Sequence, residues 1–226
     1  MFSKFRKDFP TLNGENPPVY LDNACMTLRP NSVIEAIRSY YEESPGCGGR
    51  SVHRYATTVS RKMMNCRKKM ADLFNANQSD EIVFTKNATH SLNQVAKGLS
   101  WEKGDIVLTT DREHNSNLVP WLQLEEEQGI DHRVIKSNND NTFNLENFEN
   151  ACAEAGSKLK MVSLSHVGNL DGIATPVKEA AKIAKDFGAM VCIDGAQSTP
   201  HMKVDVQDLG IDFMAFSIHK MMGPSG

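Results

Sequence analysis

The stretch from Leu159 to Ser198, LKMVSLSHVGNLDGIATPVKEAAKIAKDFGAMVCIDGAQS, decides the fold. LKMVSLSHV is a short apolar run and reads as a strand. Residues 176–187, PVKEAAKIAKDF, carry a helical pattern with a proline in the first turn, where its missing N–H leaves no bond unmade. AMVCID is a second strand. Strand, helix and strand in this order form a βαβ unit, whose strands lie parallel and are covered on both faces. Polar residues gather just past each strand. His166 and Asn169 follow the first, and Asp194 and Gln197 follow the second.

The same rhythm runs outward. EIVFT (81–85) reads as a strand, 89–100 as a helix, DIVLTT as a strand and 116–128 as a helix. HRVIK is a strand, a helix lies near 144–155, and FMAFS ends the series as a strand. Toward the N-terminus, PVYLD (18–22) is a short apolar run. Residues 31–43 have apolar side chains at 33, 34, 37, 40 and 41, a helical spacing opened by Asn31 or Ser32 as a cap. ESPGCGGRS breaks that helix, and a second is expected over 57–74. The alternation predicts an α/β fold, a three-layer αβα sandwich around a mostly parallel sheet. Ligands of such sheets bind beyond the carboxyl ends of the strands. There is no internal repeat, and nothing divides the region after residue 80.

Composition narrows the function classes. Hydrophobic residues make up 40% of the 226 and charged residues 23%, which suits a globular chain with a substantial core. Net charge is -3 and the pI about 6.2, so no basic face for nucleic acid is expected. Arg61, Lys62, Arg67, Lys68 and Lys69 fall at helical spacing and read as a solvated helix face. Cysteines at 25, 47, 66, 152 and 192 are odd in number and form no CxxC pair. Neither a metal site nor a disulfide framework is expected, and a reducing cytoplasm fits. MFSKFRKDFP lacks the apolar core of a signal peptide, and no run reaches the ~20 apolar residues of a membrane span.

Four junctions carry unusual residues. In VFTKNATHS, Asn87, Ala88 and Thr89 place small residues and free N–H groups at a helix start, a seat for an anion; any such junction also needs a cap. In TTDREHNSN, His114 lies in a polar loop, where a histidine is commonly just exposed. Asp194 follows an apolar run, and an ionised carboxylate there needs a cation or hydrogen-bond donors, although an Asx turn would also place it. In FMAFSIHK, Lys220 follows an apolar strand, and a lysine near a low-dielectric site can act as an amine nucleophile or simply reach solvent. Together, an amine nucleophile, a carboxylate for a pyridinium nitrogen and a helix N-terminus for a phosphate are what pyridoxal phosphate requires.

On these residues the sequence resembles the class V aminotransferases, fold-type I pyridoxal-phosphate enzymes, and within them the cysteine desulfurase and selenocysteine lyase group. The likeness runs through YLDNA (20–24), SVHR (51–54), EIVFTKNATHSLN (81–93), EHNSNLVPW (113–121), SHVGNLDG (165–172), DGAQS (194–198) and SIHKMMGPSG (217–226). It implies a cofactor-binding large domain over 19–226 after an N-terminal segment, 1–18. It also implies roles. Lys220 would carry the cofactor covalently and shuttle protons at the substrate alpha carbon. Asp194 would keep the pyridine nitrogen protonated, and Gln197 would bond the phenolic oxygen. His114 would stack on the ring and serve as an acid/base group. Ala88 and Thr89 would hold the phosphate, with Ser217 and His219 completing the cradle. Asn169 would lie near the ring oxygen and the substrate carboxylate, and Ala24 and His53 on the substrate side. No metal is implied.

By resemblance the activity is removal of sulfur or selenium from L-cysteine or L-selenocysteine to give L-alanine, for example for iron-sulfur cluster assembly. A cytoplasmic homodimer and a sulfur-acceptor protein are implied as well, without nucleic-acid or membrane partners. The same fixtures serve aminotransferases and other beta-lyases, and a non-catalytic interaction module is a further reading. The sequence departs from the family pattern at Cys25, where a second alanine is usual, and at His90, where a glutamate is usual. Family members continue past HKxxGPxG into another strand and a C-terminal small domain. That part carries the carboxylate-binding arginine and the sulfur-accepting cysteine. Residues 1–226 are therefore expected to lack the small domain and not to turn over substrate alone.

Overall fold

The structure, a computed structural model, describes residues 3–225. The outermost bounds of the expected segments, Met1 and Gly226, lie outside the described residues. The chain forms two compact units. One comprises residues up to Phe84 together with those from Ile218 onward, and the other is Thr85–Ser217.

The first unit contains α1 (Ser3–Arg6), α2 (Asn31–Glu43) and α3 (Arg54–Phe74). The helix expected over 31–43 is α2, but neither Asn31 nor Ser32 caps it. Pro30 is the cap residue, and the Asn31 amide donates instead to the Asp8 carbonyl at 2.7 Å. Helix α3 opens at His53, whose ring accepts from the Ala56 amide at 3.5 Å, and ends at Asn75 in the left-handed region. The strand expected over 81–85 does not form. A 3-10 turn, Ser79–Glu81, leads into extended chain with Val83 and Phe84 exposed. Arg67 donates to the Ile82 carbonyl and lies 4.9 Å over the Phe84 ring. A strand needs a neighbour to take its backbone groups, and here a guanidinium takes one of them.

The second unit is the α/β part. Strands β1 (Ile106–Thr110), β2 (Asp131–Ile135), β3 (Leu159–Ser165), β4 (Met190–Asp194) and β5 (Phe213–Ala215) form one parallel sheet in the order β2-β1-β3-β4-β5. Between them lie α4 (Ala88–Gly98), α5 (Asn115–Gln128), α6 (Leu145–Ala155), α7 (Val177–Asp186) and the short α8 (Val206–Leu209). Side chains alternate across the pleat. Ile106, Leu108, Val191 and Ile193 pack with Phe148 and Cys152 of α6 and Ala180 and Ala184 of α7. Val107, Met161 and Cys192 pack with Leu92 of α4 and Trp121 and Leu124 of α5. The unit therefore has the three layers that the alternation predicts. The β1/β3 register slips by one residue after Ile106, so Lys160 is unpaired in the ladder; its ammonium bonds Asp105 at 2.7 Å.

This strand order changes direction at β1. Chain to one side of it runs to β2 and chain to the other to β3, and a crevice opens beyond the carboxyl ends of such a pair.

Candidate functional site

Within the sheet-bearing unit the strand ends line up. Ser165 pairs with Asp194, and Asp194 with Ala215, so the loops after β3, β4 and β5 leave from one level. Asp194 is buried, and one carboxylate oxygen accepts from the Ala196 amide at 2.9 Å. Gln197 is buried one turn further on. A Cβ at Gly195 would come within 3.3 Å of Met214 and Thr199, so this tight exit from β4 favours glycine. Asn169 is exposed at the tip of the loop after β3, closed by a bridge between Val167 and Ala174.

The N-terminus of α4 is partly satisfied from within. Asn87 is its cap and accepts from the His90 amide at 3.0 Å. The Ala88 amide donates to Ser217 Oγ at 2.9 Å, which ties the helix start to the chain just after β5. Thr89 is exposed, and neither its amide nor its hydroxyl donates a hydrogen bond among the described residues. An open N–H and hydroxyl at the positive end of an 11-residue helix suit a phosphate.

His114 caps α5 with its side chain: Nδ1 accepts from the Ser116 amide at 3.1 Å and meets Ser116 Oγ at 2.5 Å. A backbone amide only donates, so the imidazole proton sits on Nε2. The neighbouring Glu113 carboxylate accepts from Thr110 Oγ1, Asn117 Nδ2 and Ser165 Oγ, each at 2.7 Å. Burial pushes the Glu113 carboxyl up from its ordinary range, and the three hydrogen bonds pull it back. The sequence reading placed Glu113 only in a polar loop. Its position between Thr110 and Asn117, four residues apart from the latter at a helix start, was the available signal.

Lys220, His219, Ala24 and His53 belong to the other unit. Lys220 ends a 3-10 turn, Ile218–Lys220. The His219 carbonyl accepts from the Thr27 amide at 3.1 Å, Thr27 Oγ1 at 2.9 Å and Arg29 at 3.1 Å. Beyond the lysine, the Gly223 amide donates to the Ile218 carbonyl at 2.8 Å, and a Cβ at Gly223 would stand 2.9 Å from that oxygen. The turn carrying Lys220 is thereby fixed on both sides, a role for Thr27, Arg29 and Gly223 that motif reading missed. Burial, then the Lys220 and Arg29 charges, push the His219 imidazole down. Ala24 is exposed in a turn closed by Asp22, and His53 is the α3 cap. Among the described residues no cluster of three or more His, Cys, Asp or Glu side chains could hold a metal, and no helix is long and apolar enough to cross a membrane.

Comparison with known proteins finds cysteine desulfurases among the similar chains. A cysteine desulfurase of Escherichia coli O6:K15:H31 is 36% identical, over 99% of this chain and 56% of its own length. The apo structure of cysteine desulfurase from Thermococcus onnurineus NA1 is 39% identical with a TM-score of 0.91, covering 99% of this chain and 55% of that one. The cysteine desulfurase CsdA from Escherichia coli superposes with a TM-score of 0.87 at 32% identity, over 99% of this chain and 56% of that one. The chain thus spans about half the length of the relatives it matches. The family model for aminotransferase class-V matches residues 19–226, and the chain belongs to that family.

Proposed function

We propose that residues 19–226 are the cofactor-binding domain of a pyridoxal 5'-phosphate-dependent cysteine desulfurase. Its substrate is L-cysteine or L-selenocysteine and its carbon product L-alanine. The sulfur passes to an acceptor protein, as in iron-sulfur cluster assembly, and the whole protein works as a cytoplasmic homodimer. The observation that carries this reading is the donor set of the sheet-bearing unit. Open Thr89 donors at the start of α4 and a buried Asp194 at the end of β4 suit the two ends of one phosphorylated pyridine.

Pyridoxal phosphate, when bound, supplies an electron sink for negative charge at the amino-acid alpha carbon. Thr89 would hold the phosphate through its amide and hydroxyl. Ala88, whose amide is engaged by Ser217, would act by fixing that serine beside it. Asp194 would keep a proton on the pyridine nitrogen, and Gln197 would bond the phenolic oxygen. His114 would lie on the ring face with Nε2 carrying the proton. Lys220 would hold the cofactor covalently and move the alpha proton, with His219 completing the phosphate cradle. Asn169, Ala24 and His53 would face the substrate.

One observation favours a second reading, another class V activity such as an aminotransferase or beta-lyase. His90 replaces the usual glutamate of the phosphate turn, and its ring is drawn back to the Lys86 amide at 3.3 Å. Borohydride trapping after addition of pyridoxal phosphate, followed by peptide mapping, tests the cofactor assignment. The label is expected on Lys220 and is lost in Lys220→Ala, while some non-covalent binding persists. Label on any other lysine would sink it.

A further inference from the structure

Glu113 stands where the sheet changes direction. Its carboxylate bonds Thr110 at the end of β1 and Ser165 at the end of β3, the two strands that flank the crevice. It also bonds Asn117 in the first turn of α5. Asn117 is fully buried, and its amide oxygen accepts from Ser163 Oγ at 2.5 Å. The same segment is held from outside, where Arg112 pairs with Asp171 and bonds Asn141 Oδ1 at 3.2 Å. His114 follows these anchors directly, between Glu113 and Asn117 in sequence.

We propose that Glu113 is a positioning residue, which fixes the turn presenting His114 through its three hydrogen bonds rather than through its charge. Three donors from three elements converge on one side chain, so its loss frees the end of β1, the end of β3 and the start of α5 together. His114 is the next residue, and among the described residues its imidazole is held by hydrogen bonds to Ser116 alone, through the amide and Oγ. Those bonds require the first turn of α5 to keep its place. Burial disfavours the charge of Glu113, while its hydrogen bonds favour it. A glutamine can satisfy the same partners. Its oxygen accepts from Asn117 and Ser165, which share one carboxylate oxygen of Glu113, and its NH2 donates to the Thr110 hydroxyl turned to accept.

The value of a fixed His114 to catalysis rests on the function proposed above, but the geometry does not, and the experiment separates the two. Chain carrying 15N-histidine is measured without pyridoxal phosphate, at a pH where imidazole is neutral, with His114→Gln assigning the signals. The parent is expected to show two widely separated His114 ring-nitrogen resonances, the mark of one tautomer. In Glu113→Ala that separation falls about twofold or more as the second tautomer is populated. Glu113→Gln restores it. A folded Glu113→Ala chain with the parental separation overturns the proposal, and so does a glutamine variant as disturbed as the alanine one. If Glu113→Ala does not fold, Thr110→Val and Ser165→Ala each remove one donor. A reduced separation in either then supports the proposal, and parental values in both overturn it. Pyridoxal-phosphate titration of the parent is a separate arm: no cofactor absorption band there would defeat the functional reading and leave the resonance result standing.

Discussion

Helices α4, α6 and α7 each bury three or four residues against the sheet, whereas α2 buries none along its 13 residues and α3 only three along 21. Both sets of helices are amphipathic in sequence. In the first unit many large apolar residues remain open: Ile37 is 45% exposed, Leu21 87% and Val52 96%. The difference teaches that periodicity specifies a face, while stability comes from what lies against it. Large exposed apolar surface of this kind is expected to bind something. The sheet-bearing unit therefore carries most of the stability of this chain.

The largest effect should come from the centre of that unit. Phe148 is fully buried in the layer of α6 and α7, its ring 5.4 Å from Phe143. Phe148→Ala is expected to cost about 3–5 kcal/mol, from lost transfer energy and the cavity left behind. Ile37→Ala, on the open face of α2, should cost below about 1 kcal/mol, since little burial is lost. Urea denaturation followed by circular dichroism measures both. Equal losses would mean that α2 contributes as much as the sheet, and the contrast between the units would collapse.

Chemistry should divide differently from stability. Asp194 belongs to the sheet-bearing unit and Lys220 to the other. On the proposed function, Asp194→Asn weakens the electron sink and leaves covalent attachment in place. Deuterium exchange at the alpha carbon of a bound amino acid is expected to slow about 100-fold. That is the size of effect seen when one preorganised electrostatic partner is removed, about 2.7 kcal/mol. Lys220→Ala should abolish attachment as well as alpha-proton exchange. Exchange at the parental rate in Asp194→Asn would end the role given to that carboxylate.

The sheet and its covering helices were legible because each carries its own periodicity and its own boundaries. Gly129, left-handed just past α5, and the capping Asn87 and Asn144 are local signals. What could not be read were features made by distant chain. EIVFT has the composition of a strand, yet pairing depends on a neighbour that composition does not supply. The Glu113 network is of the same kind. The sequence shows an acid in a polar loop, and only folding brings Ser165, 52 residues away, onto its carboxylate. Asp194 and Lys220 stood out because a charge beside an apolar run is conspicuous in one dimension.

The smallest expected effect is a pH dependence from histidines that burial holds below their ordinary value. His166 lies directly after β3, and its Nδ1 is buried without a hydrogen-bond partner among the described residues. Burial pushes its imidazole down from the ordinary value, and His132 is shifted the same way. A group that binds its proton less readily folded than unfolded favours unfolding as pH drops below its unfolded value, about 6.5. Stability should therefore decline from about pH 6.5 toward 5. The carboxylates held low, Asp105, Asp111 and Asp171, lose their contribution only as pH falls below about 3.8. Glu113, raised by burial, opposes the trend, since its contribution grows as pH falls toward 4.5. Comparing the parent with His166→Phe isolates the histidine. An open cleft of about 280 Å3 beside His166, lined also by Lys203, Val204, Asp205, Asp208 and Leu209, leaves space next to the larger ring. Removing an unpaired buried nitrogen should leave stability at pH 7 unchanged or slightly higher. Denaturation midpoints at pH 7, 6 and 5 should fall less steeply for the variant than for the parent. Parallel slopes would show that the His166 ring is solvated in the folded protein, and the acid sensitivity of the sheet-bearing unit would then need another source.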